Sequence, residues 1–331
     1  RVQFSEPVTN ASVTSGDFAL VAVSGDITGA SITSVAPTVV ADPHDLYDVT
    51  ADVTGLNAEI KLDFTGSVTD AANNTSSSSY TTGETYIVDH TNPSATVSSP
   101  ANNSYQKSIT QIAGTASDAG TPNSGVQSVQ VAVWVDNNSN GTFEAGDYYW
   151  NGTDWTTATN QTWVNATTSN DWANWSYSLS ISSGNATYYV ERKVVDYAGN
   201  TFSDAKGTTT HKFYIDNTAP TQSAPTVTAL NGTVRAGYYN KTNTGFRVSV
   251  TLDNDASLVG GNFKVQFQTA DDAAFTSNAS AWADVTVIPT HSIQSGEPNT
   301  TINKDLTSAE FENLVTEGKY IRFRAVTTDA A

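Results

Sequence analysis

The chain has 331 residues, a formal net charge of −18, and neither cysteine nor methionine. Its length corresponds to two or three domains, and its 38% hydrophobic content is too high for a disordered segment. The negative charge disfavours nucleic acid and anionic membrane surfaces as partners. The lack of cysteine excludes disulfides and thiolate zinc sites, and no apolar run approaches the roughly 20 residues that would insert this segment across a bilayer.

The surface is expected to carry hydroxyl and amide groups more than ions. Only 15% of residues are charged, whereas 84 are Ser or Thr. The chain opens in a strand pattern at residues 1–4 without a methionine and stops at residues 328–331. We therefore expect a piece of a longer mature protein.

Short stretches with alternating polar and apolar residues recur along the chain, for example at 129–135, 188–195 and 246–252. They are rich in β-branched and aromatic residues and are bounded by Gly, Asn, Asp or Pro, which is typical of strands in β-sandwiches. Residues 308–315 alone predict one or two helical turns. The predicted fold class is all-β.

A repeated pattern at strand ends divides the chain. Residues 86–93 (YIVDHTNP) and 214–220 (YIDNTAP) share an aromatic–aliphatic strand that ends in Asp-x-Thr-x-Pro. Residues 69–74 (TDAANN) and 195–200 (VDYAGN) form a second echo, and a third copy begins at residue 328. The spacing predicts three modules in a linear array, at 1–92 (N-terminally truncated), 93–220 and 221–331 (C-terminally truncated).

These motifs resemble tandem prokaryotic immunoglobulin-like (bacterial Ig-like and cadherin-like) repeats of large extracellular adhesins and archaeal cell-surface or S-layer proteins. The first module carries the resemblance through VQFSEPV (2–8), SGDF (15–18) and DAAN (70–73). The others carry it through IAGTASD (112–118), SGV (124–126), YWNG (149–152), DYAGN (196–200), GYYN (237–240) and TNTGF (242–246). The resemblance implies immunoglobulin-like β-sandwiches at the cell surface. Asn73 stands where such repeats usually have Gly, which predicts a different turn there.

Residues 136–147 (DNNSNGTFEAGD) have the spacing of a twelve-residue calcium loop, with Gly at position 6. Since strand patterns flank it, we expect a hairpin stapled by weakly bound, structural Ca²⁺. The alternative is an Asn/Gly-rich hairpin tip that binds nothing. The candidate ligands are Asp136, Asn138, Asn140, Thr142, Glu144 and Asp147.

Acidic residues also mark the predicted module junctions, at Glu6, Asp70, Asp89, Asp118, Asp196 and Asp216. Carboxylates from adjoining β-sandwiches can share Ca²⁺, but Asp also caps turns without any ion. We expect turn caps here.

Sequons for N-glycosylation are about twice as frequent as composition predicts, because 15 of the 28 asparagines begin one. Either a glycosylated exterior or Asn/Thr-rich turns account for the excess. A glycan on Asn140 is incompatible with calcium ligation by the same side chain. The candidates are Asn10, Asn73, Asn74, Asn102, Asn137, Asn140, Asn151, Asn160, Asn165, Asn174, Asn185, Asn231, Asn240, Asn278 and Asn299.

Six of the seven tryptophans lie in the predicted middle module. They form either a sugar-binding surface or, as we expect, mostly core. The four histidines are scattered, and no nucleophile elbow or phosphate loop is present. We therefore expect no enzyme.

The sequence thus predicts a structural extracellular protein that self-associates as a building block of an S-layer, sheath or surface filament, with calcium as stiffener. Two alternatives remain open. One is an adhesin stalk that presents a distal binding domain, and the other is a glycan-binding accessory module of a secreted hydrolase.

Overall fold

The computed structural model describes residues 1–39, 43–76, 78–157 and 160–331. The structure is 47% strand and 4% helix, which confirms the predicted all-β class. Two compact units are present, one of residues 1–102, 111–179 and 188–212, and one of residues 103–110, 180–187 and 213–331. The three module boundaries remain a prediction. No described helix has the length and hydrophobicity needed to cross a membrane.

The first eight strands form two three-stranded sheets and a short hairpin. The sheets have the orders β1-β4-β3 and β2-β5-β8, while β6 pairs with β7. Two 3₁₀ turns, Asn10–Ser12 and Ser15–Asp17, precede β2. The strands are β1 (Val2–Val8), β2 (Phe18–Gly25), β3 (Ser31–Pro37), β4 (His44–Asp52), β5 (Ala58–Phe64), β6 (Val68–Thr69), β7 (Thr75–Ser76) and β8 (Thr85–Val88).

The core of this part lies between the two sheets. Alternation within the strands buries Tyr47 of β4, together with Phe18 and Phe64 of the opposing sheet. Phe4 of β1 contacts Tyr47 and Phe64 edge-to-face, with ring centroids 5.7 and 5.6 Å apart. Aromatic packing therefore joins the two layers.

The next twelve strands form two larger sheets. One has the order β10-β20-β18-β12-β13-β14, with β15 on β12 and β19 on β18, and the other has the order β16-β17-β11-β9. The strands are β9 (Ser94–Ser99), β10 (Ser104–Gln106), β11 (Ile109–Ser117), β12 (Val126–Asp136), β13 (Tyr148–Trp150), β14 (Trp155–Thr156), β15 (Val164–Asn165), β16 (Thr167–Thr168), β17 (Trp175–Ile181), β18 (Ala186–Asp196), β19 (Thr201–Ser203) and β20 (Lys212–Ile215).

Strand direction is mixed in the larger sheet, since β10 runs parallel to β20 and β12 runs antiparallel to β13. An aromatic cluster fills the interior beside β12 and β18. It combines Trp134, Tyr149 and Tyr189 with the partly buried Phe143 and Trp163.

The last seven strands and the helix surround a third core. The sheet orders are β21-β22-β26 and β24-β23-β25, with β27 also paired to β23. Phe246 of β22, Phe263 of β23 and Phe323 of β27 point into this core. The elements are β21 (Thr226–Leu230), β22 (Gly245–Thr251), a 3₁₀ turn (Ala256–Leu258), β23 (Asn262–Ala270), β24 (Ala283–Asp284), β25 (His291–Ser292), β26 (Thr301–Thr307), α1 (Ser308–Glu312) and β27 (Tyr320–Thr328).

The predicted helical stretch at 308–315 is a helix that ends at Glu312. Thr307 and Glu310 form a capping box at its start, and Phe311 anchors it in the third core. Its five residues agree with the predicted one or two helical turns.

Candidate metal centre

Three aspartates from distant parts of the sequence meet at one place in the first unit. Asp89 directly follows β8, Asp118 directly follows β11, and Asp196 is the last residue of β18. One carboxylate oxygen from each lies within 4.8 Å of the corresponding oxygens of the other two. Asp89 is 6% exposed, Asp196 is fully buried, and Asp118 is partly buried.

Backbone N–H groups hold the carboxylates of Asp89 and Asp118 in place. Thr91 N donates to Asp89 Oδ1 at 2.9 Å, and Ser124 N donates to Asp89 Oδ2 at 2.8 Å. Gly125 N donates to Asp118 Oδ2 at 2.8 Å. The loop after Asp118 thus orients two of the three acids at once.

Asp196 is held by a turn of its own. Asn200 N donates to Asp196 Oδ1, and Asn200 Nδ2 donates to Asp196 Oδ2, both at 2.8 Å. The same Nδ2 also donates to the main-chain carbonyl of Asp89 at 3.0 Å. One asparagine side chain therefore links the turn after β18 to the residue after β8.

The surroundings shift the pKa values of Asp118 and Asp89 in opposite directions. Burial raises the pKa of the Asp118 carboxyl, and the negative charges of Asp89 and Asp196 raise it further. Burial also acts to raise the pKa of Asp89, but the hydrogen bonds from Thr91 and Ser124, together with the interaction with the Asp118 carboxyl, outweigh it and lower that pKa. Among the described residues, none of the three acids forms an ion pair with Lys, Arg or His.

One oxygen in the cluster has no partner. Asp118 Oδ1 is buried and accepts no hydrogen bond within the described residues. A buried carboxylate oxygen without a hydrogen bond is costly unless a cation or proton satisfies it. Calcium prefers several carboxylate and carbonyl oxygens at about 2.3–2.6 Å, so two ligands of one ion lie at most about 5 Å apart. Asp89, Asp118 and Asp196 fit such an ion.

The sequence echo between residues 69–74 and 195–200 corresponds to one shared turn. Asn74 N and Nδ2 donate to the two carboxylate oxygens of Asp70 at 2.8 Å, as Asn200 does to Asp196. Asn73 has φ 68°, and Gly199 at the matching position has φ 92°. The expectation of a different turn at Asn73 was therefore wrong, since Asn tolerates this left-handed conformation.

The remaining junction acids do not join a cluster of three among the described residues. Asp70 and Asp216 act as turn caps, with Ala72 N and Thr218 N donating to them at 2.8 and 2.9 Å. Glu6 lies exposed on β1. Turn capping thus describes Asp70 and Asp216, while Asp89, Asp118 and Asp196 combine capping with close approach of their charges.

The predicted calcium loop is a hairpin tip between β12 and β13, flanked by strands as expected. Gly141 has φ 77°, which is consistent with the sharp turn predicted at position 6. Asp136 and Asp147 are 1% and 3% exposed, whereas the other candidate ligands are exposed.

Hydrogen bonds within the loop engage most of its candidate ligands. Asp136 Oδ2 accepts from Gly141 N at 2.8 Å, and Asp147 accepts from Asn137 N and Glu144 N, both at 2.9 Å. Asn138 and Asn140 donate side-chain N–H groups to Glu144 Oε1, and Thr142 N donates to Asn140 Oδ1. Within the described residues, Asp136, Glu144 and Asp147 do not bring three carboxylates within 4.8 Å of one another.

The sequons lie mainly on the surface, with Asn10 and Asn240 only partly exposed. Several of their Nδ2 groups are already engaged, as in the donations of Asn140 to Glu144 and of Asn240 to Thr233 O. Others are engaged only through Oδ1, as in Asn151, which accepts from Thr153 N and Asp154 N. The sequons therefore fall into two groups. In one, the Nδ2 that would carry a glycan already donates a hydrogen bond, and in the other it does not.

The tryptophans of residues 93–220 mostly pack inward. Trp134 and Trp175 are 0% and 2% exposed, and Trp150 donates its Nε1–H to Tyr177 Oη at 2.9 Å while contacting Trp155. Trp163 lies against the core cluster. These positions agree with the expectation of core packing.

Comparisons with known proteins add little. Neither protein-family models nor curated proteins match the chain. Among solved structures it is similar to dimeric latent PorU from Porphyromonas gingivalis at 11% identity and a TM-score of 0.21. That similarity covers 97% of this chain and 27% of the PorU chain. At such a score it supports no inference about fold or function.

Proposed function

We propose that the chain is a structural, non-enzymatic segment of an extracellular surface protein, built from immunoglobulin-like modules and stiffened by Ca²⁺. The observation that carries this proposal is the buried, unpartnered Oδ1 of Asp118 among three converging carboxylates. The three acids belong to the motifs predicted to mark a module junction. An ion bound there would tie the end of β8 to the ends of β11 and β18.

Strand order supports the immunoglobulin-like part of the proposal. Immunoglobulin sandwiches pair strands in the orders A-B-E-D and G-F-C-C′-C″. The sheets β9-β11-β17-β16 and β20-β18-β12-β13-β14 follow these orders when read along the chain. Trp134 occupies the strand equivalent to C, where immunoglobulin domains carry a buried Trp.

Surface chemistry supports an extracellular setting. The chain is rich in Ser, Thr and Asn and carries 15 sequons, most of them on exposed asparagines. We propose that some of these carry N-glycans and that the chain self-associates into an S-layer, sheath or filament. Under the alternative of an adhesin stalk, the same modules act only as a spacer.

The calcium site is tested by thermal unfolding of the full chain in Ca²⁺ and in EDTA. We expect Ca²⁺ to raise the melting temperature, and Asp118→Asn to abolish that response while leaving the chain folded. Asp196→Asn should also abolish the response, and Asp70→Asn is its matched control, because Asp70 holds the same type of turn without touching the cluster. Asp136→Asn probes the hairpin loop independently. An identical melt in Ca²⁺ and EDTA would contradict the proposal.

The assembly is tested by electron microscopy of protein from its native source, first in Ca²⁺ and then in EDTA. We expect a lattice or filament that dissolves on chelation. Separate particles under both conditions would instead make the chain a spacer. Mass spectrometry of the same material reports which sequons carry sugar.

A further inference from the structure

The charge of the chain is unevenly distributed. Residues 1–92 contain 12 Asp or Glu and two Lys or Arg. Residues 221–331 contain eight of the 15 basic residues together with 11 Asp or Glu. The first segment therefore has a net charge of −10, whereas the last carries most of the cations and has a net charge of only −3.

Two of these cations lie side by side on the outer face of β23 and β27. In the antiparallel register Arg322 is opposite Gln268, and Arg324 is opposite Gln266. Arg322 donates Nε–H and Nη2–H to Gln268 Oε1 at 2.8 and 2.5 Å. Arg324 donates Nε–H to Gln266 Oε1 at 2.8 Å. Both acceptors are neutral amides.

Aromatic rings hold the same two guanidinium groups. The guanidinium carbon of Arg324 lies 4.4 Å from the centre of the Trp282 ring, and that of Arg322 lies 5.2 Å from it. Arg322 also lies 4.3 Å from the centre of the Phe275 ring. Both arginines are exposed and Trp282 is partly exposed. The guanidiniums are thus ordered before any partner arrives, which reduces the entropy lost on binding. We call Gln266, Gln268, Trp282, Arg322 and Arg324 the arginine face.

Within the described residues no carboxylate pairs with the guanidiniums of the arginine face, although Asp284 Oδ1 accepts from Gln266 Nε2 at 2.6 Å. Among the described residues no ion pair includes Arg322 or Arg324, whereas Arg247 in the same unit pairs with Asp305 at 2.6 Å. A guanidinium has five N–H donors; Arg322 uses two and Arg324 uses one in the bonds given above. The remaining donors suit carboxylates, which guanidinium binds in pairs of parallel hydrogen bonds.

We propose that the arginine face docks the acidic surface of residues 1–92 of a second copy of this chain. Charge complementarity selects this occupant, since that segment combines the chain's largest acidic excess with exposed carboxylates such as Glu6, Asp52 and Glu84. Because two different surfaces meet, the contact is heterologous. Such a contact repeats from copy to copy and need not close into a ring. The inference rests on the proposed self-assembling function and names its contact.

Sedimentation velocity of the full chain in calcium tests this contact. At about 0.15 M salt the Debye length is about 8 Å, so the net repulsion between copies is screened while close pairs survive. We expect concentration-dependent association there, and its loss at about 1 M salt, where the Debye length is about 3 Å. The double variant Arg322→Gln, Arg324→Gln should weaken association by on the order of tenfold or more.

A charge-matched control separates docking from net charge. Arg247→Gln with Lys241→Gln also removes two cations from the same unit, and we expect it to associate as the parent does. Equal loss in both double variants would overturn the proposal. Melting temperatures of all three proteins, in Ca²⁺ and in EDTA, establish that each is folded.

Two further outcomes would also contradict the proposed docking between copies. One is a monomeric parent chain at every concentration with a normal calcium response, which would leave the calcium site standing. The other is a monomeric parent that binds a soluble uronic-acid polymer, with binding lost in the arginine variant. That result would assign the arginine face to an acidic glycan.

Discussion

Trp134 and Tyr189 stack face to face, with ring centroids 4.1 Å apart and ring planes 5° apart. They belong to neighbouring strands, β12 and β18, and Trp134 is fully buried. Its indole Nε1–H has no hydrogen-bond partner among the described residues. Under the proposed immunoglobulin-like arrangement, this pair would stand where immunoglobulin domains pack a Trp against a disulfide, which a chain without cysteine cannot form.

We expect Trp134→Ala to lower the free energy of unfolding by about 3–5 kcal/mol, because it leaves a cavity in a closely packed cluster. Trp134→Phe should cost less, since it keeps a ring for Tyr189 and removes the unpartnered N–H. Urea denaturation measures both values. Equal losses in the two variants would contradict a role for the ring stack.

Glu191 is a fully buried carboxyl in the first unit. Tyr149 Oη–H and Gln161 Nε2–H donate to its Oε2 at 2.9 and 2.7 Å, and Gly207 N–H donates to its Oε1 at 2.5 Å. Burial raises the pKa of Glu191, the nearby charge of Asp204 adds to the rise, and the three donors oppose it. The resulting pKa lies above the ordinary glutamate value of 4.5.

This raised pKa makes stability depend on pH in a defined direction. The folded chain holds the Glu191 proton more tightly than the unfolded chain does, so this contribution is complete below pH 4.5 and is lost as pH rises through the folded pKa. Each tenfold difference in proton affinity between the folded and unfolded chains corresponds to about 1.4 kcal/mol. Glu191→Gln should remove the dependence. Urea denaturation of both proteins from pH 4 to pH 8 checks it, and parallel pH profiles would contradict the assignment.

Gly114 is required by the approach of two strands. A Cβ there would overlap the Thr96 carbonyl oxygen of β9 and lie 2.6 Å from a ring carbon of buried Trp175. We expect Gly114→Ala to lower the free energy of unfolding by about 1–3 kcal/mol through overpacking. Gly16→Ala is the control, since its nearest neighbour is Thr14 Oγ1 at 3.6 Å and its φ is not positive. Similar losses in the two variants would refute the steric argument.

Glycan occupancy is expected to follow the state of each sequon nitrogen. Asn151 Nδ2 makes no hydrogen bond within the described part of the chain, whereas Asn140 Nδ2 donates to Glu144 Oε1 at 2.9 Å. We therefore expect sugar on Asn151 and an unmodified Asn140, which also resolves the conflict between a glycan and loop geometry at that residue. Glycopeptide mass spectrometry on native material measures both, and occupancy at Asn140 alone would contradict the expectation.

Local patterns in the sequence were sufficient for the all-β class and for the position of the hairpin at 136–147. Alternation of side chains and the turn preferences of Asn, Asp and Gly act over a few residues. The shared turn of Asp70 and Asp196 could be recognised for the same reason, although its tolerance of Asn73 was missed. The short helix at Ser308–Glu312 was likewise visible, as one or two turns within residues 308–315.

The candidate metal centre was only partly accessible to sequence reasoning. The motifs flagged six junction acids equally, and turn capping described Asp70 and Asp216 correctly. Nothing in the spacing distinguished Asp118, whose buried oxygen depends on a loop that orients it towards Asp89. The calcium loop stays a prediction, since its ligand spacing is that of such a loop, while its three carboxylates do not lie within 4.8 Å of one another among the described residues.

Composition and short-range periodicity specify strands and turns directly, and they were enough to define a cysteine-free, acidic β-protein with repeated strand ends. Which acids meet, and which cations lack carboxylate partners, followed from the folded arrangement alone. Asp89, Asp118 and Asp196 are brought together by strands far apart in the chain, and Arg322 and Arg324 are aligned by the register of β27 on β23. Charges interact through space, so their consequences depend on distances that no local pattern encodes.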